Sequence, residues 1–245
     1  MCGYVPGVNG PDDFEDGLAT RPSGIAAPEL GDRVLLAIDT SLGTSVALGA
    51  GGRIYEVPSD DPRGHAEAIG PLLEEVFRVG GTTPRDVTGV VVGVGPGPFT
   101  GLRVGIAAAH AFAMGAGLQS RRGGSGVPLL PLLGHEAVAL EILQQGAAAG
   151  VRVVQDARRH ELFVTDFSVL DWAGVPVRSA GPGLVAREDY EPVPQEVWPQ
   201  RIPAAALVRL ASRRLATGQA FEPDHALYLR APDVKQPGAP KRVSS

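Results

Sequence analysis

The sequence predicts an α/β protein built of two lobes, and three observations lead there. Short β-type runs alternate with helical segments in the order β-β-β-α-β-α, followed by a shorter α/β half. The helical segments carry apolar residues at three- and four-residue spacing, whereas the strand segments are short apolar or β-branched runs. Of the 245 residues, 44 % are hydrophobic and 20 % charged, which is a globular composition with ample material for a core.

Residues 1–32 read as a disordered acidic leader. Asp12, Asp13, Glu15, Asp16, Glu29 and Asp32 stand there against Arg21 alone, with no hydrophobic period. The stretch lacks the basic start and apolar run of a signal peptide, and with so few cysteines the expected location is cytoplasmic. Val34-Leu-Leu-Ala-Ile38 is a buried strand ending in the small polar residues Asp39, Thr40 and Ser41. Ser45–Leu48 and Arg53–Val57, joined by a glycine-rich turn, complete a three-stranded antiparallel meander. His65–Val79 is a helix with Ile69, Leu72, Leu73, Val76 and Phe77 at helical spacing, Pro71 inside it and Gly80-Gly81 at its end. Val87–Val94 is a strand, Gly95–Gly101 a tight loop and Leu102–Met114 an Ala-rich helix. Residues 118–131 read as loop-like with a short apolar piece, and Gly134–Gln145 as a helix. Val151–Val154 and Glu161–Val169 form a hairpin. Residues 171–200 are Pro-rich and resist assignment, Ala204–Ala216 is a helix, and the rest is tail. The resulting organisation is a leader (1–32), an N-terminal lobe (33–133), a reduced C-terminal lobe (134–234) and a tail (235–245).

Composition excludes several chemistries. Cys2 is the one cysteine, so an intramolecular disulfide, a cysteine zinc site and a CxxC redox motif are out. Lys235 and Lys241 are the two lysines, both in the tail, so the folded body carries no Walker-A lysine, no lysine of the usual protein-kinase kind and no Schiff base. The formal net charge of −5 resides in the leader, and the balanced remainder has no global nucleic-acid footprint. No run approaches the ~18 consecutive apolar residues of a membrane span.

Two segments invite a functional reading. Gly95-Pro96-Gly97-Pro98-Phe99-Thr100-Gly101 follows a strand and opens a helix, where exposed N–H groups favour an anion. The same glycines equally suit a tight turn or close backbone packing, and two prolines remove donors. Asp39 could hold a metal–nucleotide complex, with Thr40 and Ser41 on a phosphate, or the three could form a strand-end Asx or Ser/Thr turn. Among the five histidines, His135-Glu136 and His160-Glu161 begin like HExxH, but Ala139 and Val164 end the pattern, so each histidine reads as a surface or packing residue. The helix Leu102–Met114 is rich in Gly105, Ala107, Ala108, Ala109, Ala111 and Ala113. Such small residues suit packing on the sheet or a close contact with a partner helix.

Taken together, five segments resemble one family. Val34-Leu-Leu-Ala-Ile-Asp-Thr-Ser41, and His65-Ala-Glu67 with Pro71 behind it, resemble its first two signatures. Gly95-Pro-Gly-Pro-Phe-Thr-Gly-Leu-Arg-Val-Gly105 resembles its GPGxFTGLRxG loop. Asp156-Ala-Arg-Arg159 with Glu161-Leu-Phe163 resembles its DARRxEVY segment, and Tyr228-Leu-Arg230 its YLR. The family is TsaB, also called YeaZ, the non-catalytic subunit of bacterial tRNA threonylcarbamoyladenosine synthesis, historically filed with glycoprotease-like peptidases. The resemblance implies an actin-like (sugar kinase/heat-shock chaperone) fold with a reduced second lobe. It implies pairing with the catalytic subunit TsaD, and through it with the ATPase TsaE and tRNA, with a homodimer when alone as a further form. It also implies that ATP and a metal ion belong to the partner subunits and that this chain has no cofactor of its own. The TsaD metal motif HxxxH is missing. The implied interface is His65, Ile69, Leu72, Leu73, Val76, Arg103, Ile106, Ala109 and Ala113, and Asp39, Thr40 and Ser41 become a vestigial nucleotide site. The rival reading is a stand-alone actin-like ATPase or phosphotransferase with Asp39 holding the metal and Gly95–Gly101 near phosphate.

Overall fold

The computed structural model describes residues 24–59, 64–119, 126–147 and 150–230. The expectations for Cys2, for the rest of the first 23 residues and for the tail lie outside the described residues. The elements are β1 (Ile25–Ala26), β2 (Leu35–Asp39), β3 (Ser45–Ala50), β4 (Arg53–Pro58), α1 (His65–Gly80), β5 (Gly89–Gly93), α2 (Phe99–Gln119), β6 (Leu129–Leu132), α3 (Gly134–Gln144), β7 (Val151–Arg158), β8 (Glu161–Leu170), β9 (Pro176–Ala186), β10 (Glu196–Val197) and α4 (Ala204–Thr217).

A six-stranded sheet has the order β1-β4-β3-β2-β5-β6, and a four-stranded sheet the order β10-β7-β8-β9. In the first, β2-β3-β4 is the expected antiparallel meander, while β5 and β6 extend β2 in parallel. This βββαβα arrangement, with a smaller sheet following it, is the actin-like architecture with a reduced second half.

Both faces of the first sheet are covered, which is why its central strands are continuous apolar runs and not alternating ones. Leu36, Ile38, Val46, Leu48, Val90 and Val92 face α1 and α2, where Leu72, Val76, Phe77, Ala109 and Ala113 meet them. Leu35, Ala37, Ala47, Ile54 and Val91 point the other way into a core that includes Leu207, Val208, Leu210 and Ala211 of α4, Val138 and Leu140 of α3, and Val151, Val153 and Phe167 of the second sheet. So α4, assigned by sequence to the second lobe, lies on the first sheet, and the two halves share one core. Each large side chain buried in this way contributes roughly 1.5–3 kcal/mol.

Four expectations need correction. Residues 24–32, expected in the leader, are part of the packed lobe: β1 pairs with β4, Ala27 and Leu30 are fully buried, and Ser212 of α4 donates to the Glu29 carbonyl at 2.6 Å. The apolar piece at the end of the loop-like stretch 118–131 belongs to β6, which pairs parallel with β5 after the crossover through α2. The unassigned stretch 171–200 supplies β9 and β10; its prolines and bulges blur the two-residue period that marks a strand. α2 starts at Phe99, inside the expected loop, and runs to Gln119. By length and composition alone it could cross a membrane, but its inner face packs on β2 and β5.

The β7–β8 turn carries three consecutive non-glycine residues at positive φ: Arg158 (63°), Arg159 (53°) and His160 (60°). Left-handed backbone costs a residue with a Cβ roughly 1–2 kcal/mol. His160→Gly should therefore raise the unfolding free energy by about 0.5–1 kcal/mol, less than the full strain because glycine also enlarges the unfolded ensemble. Urea denaturation monitored by circular dichroism checks this, and a lower midpoint would contradict it.

Candidate functional site

The chemistry-bearing segments converge at the carboxyl ends of β2 and β5. Asp39, Thr40 and Ser41 do come together there with the glycine loop, but all three are buried. The Thr40 hydroxyl donates to the Gly101 carbonyl at 2.7 Å and accepts the Gly105 N–H at 3.1 Å, bridging one helical turn at the start of α2. A Cβ on Gly105 would overlap that hydroxyl, and one on Gly97 would sit 2.7 Å from the Ser41 carbonyl oxygen. The spacing of Gly97, Gly101 and Gly105 thus serves close packing around the β2 turn, Gly95 and Pro96 are buried beside it, and Phe99 and Thr100 are exposed.

Asp39 Oδ1 accepts the Ser41 N–H and hydroxyl, each at 2.8 Å, in an Asx-type turn. Its Oδ2 lies against Gly93 with no partner. Burial pushes the Asp39 carboxyl up to about 6, against the Ser41 bonds that favour the charged form. From Ser41 a buried polar chain crosses to the second sheet. Gln155 Nε2 donates to the Ser41 carbonyl at 3.0 Å, its Oε1 lies 3.1 Å from His135 Nε2, and His135 Nδ1 lies 2.8 Å from the Thr165 hydroxyl. Because Gln155 presents its oxygen, His135 carries its proton on Nε2 and accepts from Thr165 on Nδ1. Burial pulls His135 down to about 4, which keeps it neutral. The neighbouring Glu136 carboxylate is held by Arg214 of α4. The HExxH-like start is therefore spent internally. Among the described residues, no group of three or more His, Cys, Asp or Glu is placed to hold a metal ion.

The implied interface residues divide in two. Ile69, Leu72, Val76, Ala109 and Ala113 are buried against the sheet and cannot meet a partner, because the apolar stripe at helical spacing is the core-facing one. Leu73 and Ile106 are half-buried at the rim. His65 is half-buried with Nδ1 2.7 Å from the Thr44 hydroxyl. Arg103 is exposed, but its guanidinium lies over the Phe99 ring, 3.7 Å from the centroid, and its Nε donates to the Tyr228 hydroxyl at 2.8 Å. What α2 presents outward is a different stripe: Ala107, Ala111, Met114 and Leu118, the last two 70 % and 89 % exposed. Ala107 and Ala111 were legible among the small residues of the helix, but Met114 and Leu118 were not, because α2 is apolar on nearly every side and periodicity does not say which face is covered.

Beside the amino-terminal end of α2 lies an open cleft of about 510 Å³ lined by Gly97, Pro98, Phe99, Phe163, Tyr228, Arg158, Arg159 and Arg230 among others. Its walls come from the glycine loop, the strained β7–β8 turn and the chain's last described residues. Phe163, Arg158 and Tyr228 were legible as motif residues, but nothing in their spacing said that they meet.

The buried Asp39 gives a pH signature. With its pKa raised in the folded state, the stability it lends is full below the unfolded value near 3.8 and is lost as pH rises through about 6. Asp39→Asn, neutral at every pH, should be more stable than the parent by up to about 2–3 kcal/mol at pH 8 and nearly equal to it at pH 4. The titration of His135 is common to both proteins and cancels in the difference. Paired urea titrations at the two pH values test it, and a difference independent of pH would refute it.

The family model "TsaD: tRNA N6-adenosine threonylcarbamoyltransferase" matches residues 56–174. An uncharacterized protein of Mycobacterium tuberculosis is 32 % identical over 189 residues, spanning 71 % of this chain and 79 % of that one. The tRNA threonylcarbamoyladenosine biosynthesis protein TsaB of Escherichia coli is 31 % identical over 134 residues, 54 % of each chain. The solved structure of YeaZ from Pseudomonas aeruginosa superposes with a TM-score of 0.66 at 22 % identity, covering 80 % of this chain and 99 % of that chain, and shares its fold. The sequence likeness to TsaB proteins, on a fold shared with YeaZ, places the chain in the TsaB (YeaZ) family.

Proposed function

We propose that the chain is the accessory subunit of a tRNA threonylcarbamoyladenosine-forming complex. It docks a TsaD-like catalytic subunit through the outer face of α2 and the rim of α1. Through that subunit it joins a TsaE-like ATPase and tRNA in the cytoplasm, and the threonylcarbamoyl group is transferred to the adenosine next to the anticodon in the partner. The observation that carries this reading is the outward stripe Ala107, Ala111, Met114 and Leu118 on a helix whose sole Lys, Arg, Asp or Glu residue, Arg103, is turned aside onto Phe99 and Tyr228. Small residues let a second helix approach closely, and the two long apolar side chains at the far end give it something to bury. The TsaD-type family match over residues 56–174 fits a chain that pairs with a relative of its own fold. ATP and a metal ion belong, on this reading, to the partner subunits.

The rival, a stand-alone ATPase or phosphotransferase, would need Asp39, Thr40 and Ser41 free to meet a nucleotide. Thr40 and Ser41 instead spend their hydroxyls on Gly101, Gly105 and Asp39. The buried turn therefore favours the accessory role.

Reconstitution tests the proposal. With tRNA and threonylcarbamoyl-adenylate, modification should require both TsaD and this chain. Modification by this chain alone would transfer catalysis to it, and no effect on a competent TsaD would end the proposal. Ala111→Arg, at an exposed position, should leave melting within about 0.5 kcal/mol of the parent and weaken TsaD binding at least tenfold by calorimetry. Unchanged affinity would remove α2 from the interface.

A further inference from the structure

The amino-terminal turns of α2 are poor helix by composition. They follow Pro98 and contain Gly101 and Gly105, each costing roughly 1 kcal/mol relative to alanine. Thr40 holds these turns from the inside. From the outside they are held by a segment without regular secondary structure, Ala226–Arg230. Ala226 is buried, and the Leu227 N–H donates to the Val94 carbonyl at 2.8 Å, just beyond β5. The Tyr228 ring lies 4.9 Å from the Phe99 ring, and Arg103 is bound to both. Arg230 pairs with Glu161 and reaches the Ala157 and Arg158 carbonyls at 3.3 and 3.4 Å. Five consecutive residues thus link the end of β5, the first turn of α2 and the β7–β8 turn.

We propose that Ala226–Arg230 is a strap that sets the amino-terminal end of α2 against the β7–β8 turn, with Tyr228, Arg230 and Arg103 as positioning residues for the docking face. This rests on the reading of α2 as that face. Arg103 then acts on the partner through the helix, since its guanidinium is already committed to Phe99 and Tyr228. The strap also gives the β7–β8 turn a direct mechanical path to the helix that bypasses the sheet.

 That path runs from Glu161 and the Ala157 and Arg158 carbonyls through Arg230 and Tyr228 to Phe99 and Arg103.

The test uses the full chain with a TsaD subunit, and reads affinity by calorimetry, amide exchange by mass spectrometry, and melting. Tyr228→Ala should weaken binding about tenfold and speed exchange in the first turns of α2, while the amides of β2 and β3 keep their protection. Tyr228→Phe, which keeps the ring and loses the hydroxyl, should fall between. Arg230→Ala alters no residue of α2, yet should weaken binding severalfold, with Arg230→Lys restoring part of it through Glu161. Parental exchange in α2 for both alanine variants would overturn the strap, as would faster exchange spread evenly over the first sheet, which marks general destabilisation. If the parent chain fails to bind TsaD, the docking reading falls, and local exchange in α2 still decides the strap.

Discussion

The Thr40 hydroxyl is the contact on which the arrangement of the first half depends. It takes the place of a helical hydrogen bond at the start of α2, donating to the Gly101 carbonyl and accepting from the Gly105 N–H. The end of β2 is thereby joined to the beginning of α2, two elements that are distant in sequence. The close approach demands glycine at 105, since a Cβ there would collide with the hydroxyl. The weakness that glycine brings to a helix is the cost of this contact, and the buried side chains Leu102, Ala109 and Ala113 offset it.

From that junction the rest of the packing follows. With α1 and α2 on one face and α4 on the other, the central strands are buried on both sides, and the second sheet joins the core that α4 forms with the first. A polar chain through Ser41, Gln155, His135 and Thr165 crosses the same boundary with its donors and acceptors matched. Matched buried polar groups specify an orientation where apolar contacts alone would tolerate sliding. Both features favour one fixed relation between the two halves; among the described residues, Asp39 Oδ2, Glu136 Oε2 and Arg214 Nε are buried without a hydrogen-bond partner.

Much of the fold was legible in the sequence because its signals are local. The meander, α1, α3, α4 and the β7–β8 hairpin follow from short apolar runs, helical spacing and glycine stops such as Gly81, which ends α1 in the left-handed conformation. β9 was hidden because Pro182, Gly181 and Gly183 break its pattern, and β6 because four residues give too short a period to read. The site was legible as motifs and illegible as geometry. Asp39-Thr40-Ser41 and the glycine loop were legible as two separate segments, and composition cannot distinguish glycines that admit a phosphate from glycines that admit a threonine. Of the interface residues that the resemblance implied, Ile69, Leu72, Val76, Ala109 and Ala113 fall on the stripe that periodicity reveals most strongly, which is the buried one.

The distribution of polarity argues further. At the carboxyl edge of β2 and β5, where open α/β sheets commonly take ligands, the polar side chains are turned inward and paired with the backbone. On α2 the opposite holds: Met114 and Leu118 stand in solvent on a helix whose buried face is already filled. A chain whose ligand-side groups are satisfied internally, and whose apolar surplus lies on one outer helix, has more to gain from a protein surface than from a small molecule. The Arg-lined cleft adjoins the start of that same helix, so a partner seated on α2 would lie beside its mouth, and Tyr228 forms part of both. The accessory reading therefore draws on the inward polar groups as much as on the outward apolar ones.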